Sequence, residues 1–332
     1  MGGRRMKAKA GTFWLIIVVI FCCVVMLGGR AEAAEEKFPS KPMTLVVPWS
    51  AGGGHDLVAR KLQPLLEKFL GVSVTVVNKP GGGATIGFGE VMRSAPDGYT
   101  LCHISPTFNI VKYTVKGTTV DYTKFEPIAF VAYAPQIVVV KKDAPWNTLK
   151  EFLDYAAANP GKLRVGNTGF GSIHHMGAIG IEHAAKVKFT HIPYKGAAPA
   201  FPELLGGHID ALVVGQTDVL NLIKGGDLRA IGVAAHERSK FLPGTQTFIE
   251  LGVKHSIPSF YSWVGPKGIP RDRVNILYNA VLRCSETQEF KTFCDEQGAN
   301  IAVQGPEPFG KFLAEEDKKW KELITMAGIK PE

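Results

Sequence analysis

One pattern, repeated along the chain, restricts the fold more than any other feature: an apolar strand, a glycine-rich turn, then an amphipathic helix. The apolar run Thr44–Pro48 is of the kind buried in parallel sheets, and it leads into Trp49-Ser50-Ala51-Gly52-Gly53-Gly54-His55-Asp56. A helix follows, with Val58, Leu62, Leu65, Leu66 and Phe69 on one face. Pro64 is expected to bend it and Gly71 to stop it. Val72–Val77 is a second strand, Asn78–Gly83 a second glycine turn, Thr85–Ser94 a helix and Tyr99–Ile104 a third strand. The unit returns at Leu163–Gly166, with the turn Asn167–His174 and a helix over 175–186. Phe189–Pro193 then ends in a further turn, Tyr194–Pro199. Strands alternating with helices imply an α/β fold with mostly parallel sheets.

The chain is too long for one core. Residues 1–33 read as a secretion signal: Arg4, Arg5, Lys7 and Lys9 precede the uncharged run Phe13–Leu27, and Ala31-x-Ala33 offers a cleavage site. That run is shorter than the roughly 20 residues a spanning helix needs, although an uncleaved anchor is the alternative. Cleavage would remove five of the 38 Lys and Arg and one of the 30 Asp and Glu, lowering the net charge from +8 to +4. The remaining basic residues form no cluster, which argues against a nucleic-acid partner. Single cores stop growing near about 250–300 residues, so two lobes are expected. Gln136–Val140 is a strand that could cross between them, and the chain is expected to return near Ser259–Gly265. This divides the protein into 34–135 for the first lobe, 136–258 for the second and 259–332 as a return segment, with helices over Arg271–Cys284 and Pro308–Ala327. Two crossings are the geometry of a hinge. Three cysteines follow the leader; Cys284 and Cys294 could pair, but two buried thiols are the simpler reading.

Ligands of open α/β sheets sit beyond the carboxyl ends of the strands. Four turns, 50–56, 80–87, 167–174 and 194–199, should therefore converge there. Glycines turn backbone N–H groups toward a ligand, and each following helix presents a positive dipole end. Gly53 and Gly171 are expected to need φ > 0. Hydroxyls at Ser50, Thr85, Thr107, Thr168, Ser172 and Tyr194 add neutral donors, while only Lys79 and Lys195 bring charge. Many N–H groups with few cations suit a carboxylate better than a polyphosphate.

The order of these residues resembles a known family. Phe38–Asp56, Val77–Gly83, Ala95–Thr100, Gly169-x-Gly171-Ser172 with His174, His191–Gly196 and Gly206–Asp210 follow the pattern of the tripartite tricarboxylate transporter receptors, the Bug/TctC family, from about residue 38 to the C-terminus. The resemblance implies a type II periplasmic-binding-protein-like fold, an exported and periplasmic receptor, a small carboxylate ligand and membrane permease subunits as partners. A monomer without cofactor or metal is expected. The grip that the resemblance implies comes from Ala51, Gly52, Gly53 and Gly54 on one side and Thr168, Gly169, Gly171, Ser172 and His174 on the other. Ser50, Asp56, Gly82, Gly83, Thr107, Tyr194, Lys195, Gly196 and Gln216 complete the candidate site. The sequence departs from the family's pattern at His55, at His175 and over Gln216-Thr217-Asp218, which bears on which ligand is bound.

Plainer readings compete for several of these residues. Asp56 precedes a helix and is expected as an N-cap, with ligand contact the alternative. His174 and His175 point about 100° apart on a helix and lack a third ligand, which argues against a metal. Ser172 beside His174 suggests a nucleophile and base, but the G-x-S-x-G elbow and an acid partner are missing. Cys102 and His103 are adjacent in a strand and face opposite ways. Residues 166–171 fail the G-x-G-x-x-G order and no Walker lysine follows, so no nucleotide cofactor is expected. A receptor for a permease, an exported hydrolase and a binding module serving a signalling partner remain as the functional alternatives.

Overall fold

The strand–turn–helix unit appears where the apolar runs place it. In the computed structural model, which describes residues 37–253 and 258–331, the chain runs β1 (Met43–Val47), α1 (Gly54–Leu70), β2 (Val74–Asn78), α2 (Thr85–Met92), β3 (Thr100–Ile104), α3 (Thr107–Thr114) and β4 (Phe125–Ala134). It continues through β5 (Gln136–Lys141), α4 (Leu149–Ala158), β6 (Arg164–Asn167), α5 (Ile173–Ala185), β7 (Thr190–Pro193), α6 (Ala200–Leu205), β8 (Ala211–Gly215), α7 (Gln216–Gly225) and β9 (Leu228–Ala234). It closes with β10 (Ser259–Pro266), α8 (Arg271–Glu286), α9 (Gln288–Gln297), β11 (Asn300–Gln304) and α10 (Pro306–Met326). The leader expected over 1–33 lies outside the described residues.

Among the described residues the strands form two sheets, six-stranded β11-β4-β10-β3-β1-β2 and five-stranded β7-β6-β8-β5-β9. These two sheets with their helices are the two lobes of an α/β fold. Only Pro135 separates β4 from β5, so the chain passes from one sheet to the other in an extended stretch. It re-enters the first sheet at β10, where Ser259 pairs with Ala134.

The sheets are mixed, which corrects the expectation of mostly parallel ones. β1 is parallel to β2 and β3, and β6 to β7 and β8, because helices cover those crossovers. β5 and β10 begin at the interlobe end of their sheets, whereas β3, β4, β8 and β9 finish there. They therefore pair antiparallel with those neighbours. The helices α7 and α9 and the strand β11 are also additions to the sequence reading.

Both faces of the second sheet are apolar. Leu149, Phe152, Val165 and Ile181 pack on one side, and Leu204, Leu212, Val219 and Leu220 on the other. In the first lobe Leu45, Leu62, Leu66, Phe88, Phe108 and Trp263 are buried. Each such large side chain contributes about 1.5–3 kcal/mol of burial energy. Pro64 lies inside α1 without ending it, and Gly71 closes the helix in the left-handed region at φ 73°.

Candidate functional site

The first glycine turn joins β1 to α1. Gly53 is the N-cap, at φ −82°, so the expected left-handed conformation belongs to Gly52 at φ +84° instead. Asp56 therefore sits in the first helical turn and not at the cap. Its carboxylate reaches back to accept from Gly52 N at 2.9 Å, and it also accepts from Arg60 Nε and Asn78 Nδ2. Burial alone would raise its pKa, but these donors together hold it below the ordinary carboxylate range. Asp56 fastens the turn.

The second turn contains four successive left-handed residues, Gly81, Gly82, Gly83 and Ala84. Gly83 comes so close to the other lobe that an added Cβ would stand 2.6 Å from the Phe170 carbonyl oxygen. Only glycine permits that approach. The hydroxyl of Thr85 donates to Gly82 O at 2.7 Å and so serves the turn itself. Lys79 pairs with Glu90 on α2.

In the third turn Gly169 and Gly171 are left-handed, at φ +138° and +66°. Gly169 N donates to Asn167 Oδ1, and Gly171 N to His175 Nδ1. Ser172 caps α5 by accepting from His175 N at 3.1 Å. Thr107, at the start of α3, accepts from Ile173 N across the cleft at 3.0 Å. The turns thus satisfy many of the N–H groups expected to face a ligand, as buried donors must. In the fourth turn Gly196, at φ +143°, lets Lys195 O come near enough to accept from both the backbone N and the hydroxyl of Ser50, at 3.1 and 2.8 Å.

Between these turns lie two adjoining hollows. A cleft of 410 Å³ is lined by Pro48 and Trp49, by Gly81–Ala84, by Val115, by Thr168–Phe170 and by Pro193–Lys195. Beneath it a chamber of 10 Å³, about the size of one water, shares Trp49 and Thr168 with the cleft. Its other walls include Ser50, Gly53, Gly54, His55, Thr107, His174 and Asp218. The structure therefore brings Ser50, Gly53, Gly54, Gly82, Gly83, Thr107, Thr168, Gly169, His174, Tyr194 and Lys195 to one place. Ala51, Gly52, Asp56, Gly171, Ser172 and Gly196 support the turns without lining either hollow. Gln216 is elsewhere: its side-chain amide donates to Gly298 O at 2.7 Å and ties α7 to the end of α9.

The chamber is built from neutral imidazoles and one carboxylate. Trp49 stacks on His55 at 4.2 Å, and His55 meets His103 edge to face at 5.0 Å. Trp263 Nε1 donates to His103 Nδ1 at 3.0 Å, which leaves the proton of that neutral ring on Nε2. Burial lowers His103 and His174 to about 3, and it lowers His55 well below its ordinary value with help from His103 and His174. Asp218 is the residue the sequence reading noted only as a departure. Its oxygens accept from Gly54 N across the cleft at 2.6 Å and from Gly215 N at 2.9 Å, while burial pushes its carboxyl up to about 6.

Ser172 and His174 do not form a nucleophile–base pair. Thr168 Oγ1 stands between them, 3.2 Å from Ser172 Oγ and 2.8 Å from His174 Nδ1. Cys102, Cys284 and Cys294 are free, buried thiols.

Residues 58–329 match the family described as tripartite tricarboxylate transporter family receptor. The chain belongs to this family. Among solved structures similar to it is the periplasmic binding protein BugD, with 31% identity, a TM-score of 0.85 and 89% of this chain and 100% of that one covered. Rpa4515 of Rhodopseudomonas palustris with adipate is 26% identical, with a TM-score of 0.85 and 89% and 100% covered. MatC of the same organism with bound malate is 27% identical, with a TM-score of 0.81 and 86% and 100% covered. The family's two-lobe binding-protein fold is the one the two sheets build here.

Proposed function

We propose that this protein is an extracytoplasmic receptor that captures a small carboxylate in the cleft between its lobes, performs no chemistry on it and delivers it to the membrane subunits of a tripartite transporter. The observation that carries this reading is the 410 Å³ cleft itself. It is lined from both lobes by glycine turns at the carboxyl ends of parallel strands, where open α/β sheets hold ligands. Two relatives of the same fold carry carboxylates, malate and adipate. Lys195 is the cation lining the cleft among the described residues, and it suits an acid at the rim.

The proposed contacts are Gly82 and Gly83 from the first lobe, and Thr168, Gly169, Tyr194 and Lys195 from the second, with the His174 chamber beneath. The leader expected from the sequence of residues 1–33 would direct export to the periplasm. The hydrolase alternative is disfavoured by Thr168 standing between Ser172 and His174. Mass spectrometry of what co-purifies with the folded protein, followed by calorimetry with that compound, tests the reading. Saturable binding with the acid recovered unchanged is expected. Conversion of the compound, or recovery of a ligand without an acid group, would overturn it.

A further inference from the structure

The cleft offers glycine turns and a lysine at its rim, whereas its floor offers something of opposite sign. Asp218 is half-buried and lines the chamber. Among the described residues no lysine or arginine pairs with it; its partners are the N–H groups of Gly54 and Gly215. An ionised carboxylate accepts at about four lone-pair positions, so two donors leave it half satisfied. The groups that face it are His55 from α1, His174 from α5 and Tyr261 from β10. The two imidazoles are held neutral by burial, and Tyr261 is pushed up in pKa by burial first and then by Asp218. None of the three supplies a positive charge.

Two buried nitrogens in the same chamber, His55 Nδ1 and His174 Nε2, have no partner. With Thr168 donating to Ser172, His174 Nδ1 donates to Thr168, and Nε2 is left as a second acceptor. Unpaired buried polar atoms are costly and uncommon in folded proteins, so their clustering marks a place where a ligand group completes the set. The walls come from both lobes, Gly54 and His55 on one side and His174 and Asp218 on the other. Opening the hinge therefore exposes the chamber, and closing it seals in whatever the ligand has placed there.

We propose that Asp218 determines the ligand class, making the floor an acceptor that selects acids bearing a hydrogen-bond donor, an amino or hydroxy group, beside the carboxylate. This rests on the carboxylate reading above. The ligand's acid stays at the glycine turns and Lys195, and its donor reaches down between Trp49 and Thr168. A second carboxylate aimed at the floor would meet Asp218 as a like charge. An ammonium group would supply the missing cation and is the donor expected to gain most.

The test compares succinate, malate and aspartate, and then glutarate, 2-hydroxyglutarate and glutamate, by calorimetry with the purified protein. Within each set only the group on the second carbon changes. At least one donor-bearing member should bind about tenfold or more tightly than its plain acid. Asp218→Asn should erase most of that preference, with the amino acid losing more than the hydroxy acid. Asp218→Ser serves the same purpose should the asparagine disturb the contacts to Gly54 and Gly215. Equal binding within each set, or a preference that survives both variants, would overturn the role of Asp218 and leave the carboxylate reading intact. No binding by any of the six would remove both.

Discussion

Replacing Gly83 by alanine tests whether the glycine turns exist to let the lobes meet. Two effects are expected. The left-handed backbone at φ +61° disfavours any side chain by about 1–2 kcal/mol, whether the lobes are open or closed. The new Cβ would also stand 2.6 Å from Phe170 O, a contact that arises only when the lobes come together. Overpacking of this kind costs about 1–3 kcal/mol. Charged to the closed state alone, it weakens ligand binding by roughly fivefold to a hundredfold. Gly117→Ala is the control. It has φ +73° and nothing within 4 Å of an added Cβ, so it carries the backbone strain without the clash. Calorimetry with the co-purifying ligand and small-angle scattering with and without it are the assays. Both variants should lose some stability, but only Gly83→Ala should lose affinity and the ligand-induced fall in radius of gyration. Equal affinity in the two variants would refute the closure argument.

Other outcomes follow from the same contacts. Asp56→Ala should lower stability by about 2–4 kcal/mol in denaturant unfolding, because three donors lose their buried acceptor, while affinity in the folded fraction stays within a few-fold. A tenfold loss of affinity at unchanged stability would return Asp56 to the binding site. His103 and His174 hold folded values of about 3, so the stability they contribute is complete above the ordinary value near 6.5 and declines as pH falls below it. At pH 5 the loss is about 2 kcal/mol for each. Asp218, raised to about 6, works in the opposite sense and returns about 1 kcal/mol over that range. Unfolding at pH 7 and pH 5 should thus show a net loss at the lower pH; equal stability at both would contradict buried neutral histidines.

The parts of this molecule readable in its sequence are those set by local chemistry. The apolar runs at 44–48 and 163–166, the triple glycine ending at Gly83 and the Gly169-x-Gly171-Ser172 turn each announce their conformation within a few residues. Strand direction at the hinge was not readable, because β5 and β10 run as they do only because the chain crosses between sheets there. Gly52 and Gly53 exchanged roles because either of two neighbouring glycines can supply the left-handed step before a helix. The polar chamber was hidden for a related reason. His55, His103 and His174 come from three separate elements, and Asp218 meets Gly54 across a separation of 164 residues. One signal was available: an aspartate three residues after Gly215, ahead of Val219 and Leu220, is a helix start, and it would have brought Asp218 to the interlobe end of β8.

The claim on which the account depends is that the cleft reads an ionised carboxylate. The most direct measurement is a competition titration of a dicarboxylate of four to six carbons against its own diamide, which keeps the carbon chain and removes every ionised group. Charge-assisted hydrogen bonds are about twice as strong as neutral ones, and each buried donor left poorly paired costs roughly 1–3 kcal/mol. The acid should therefore bind at least about tenfold more tightly than the amide. Equal affinity for the two would mean that the glycine turns and Lys195 do not recognise a carboxylate.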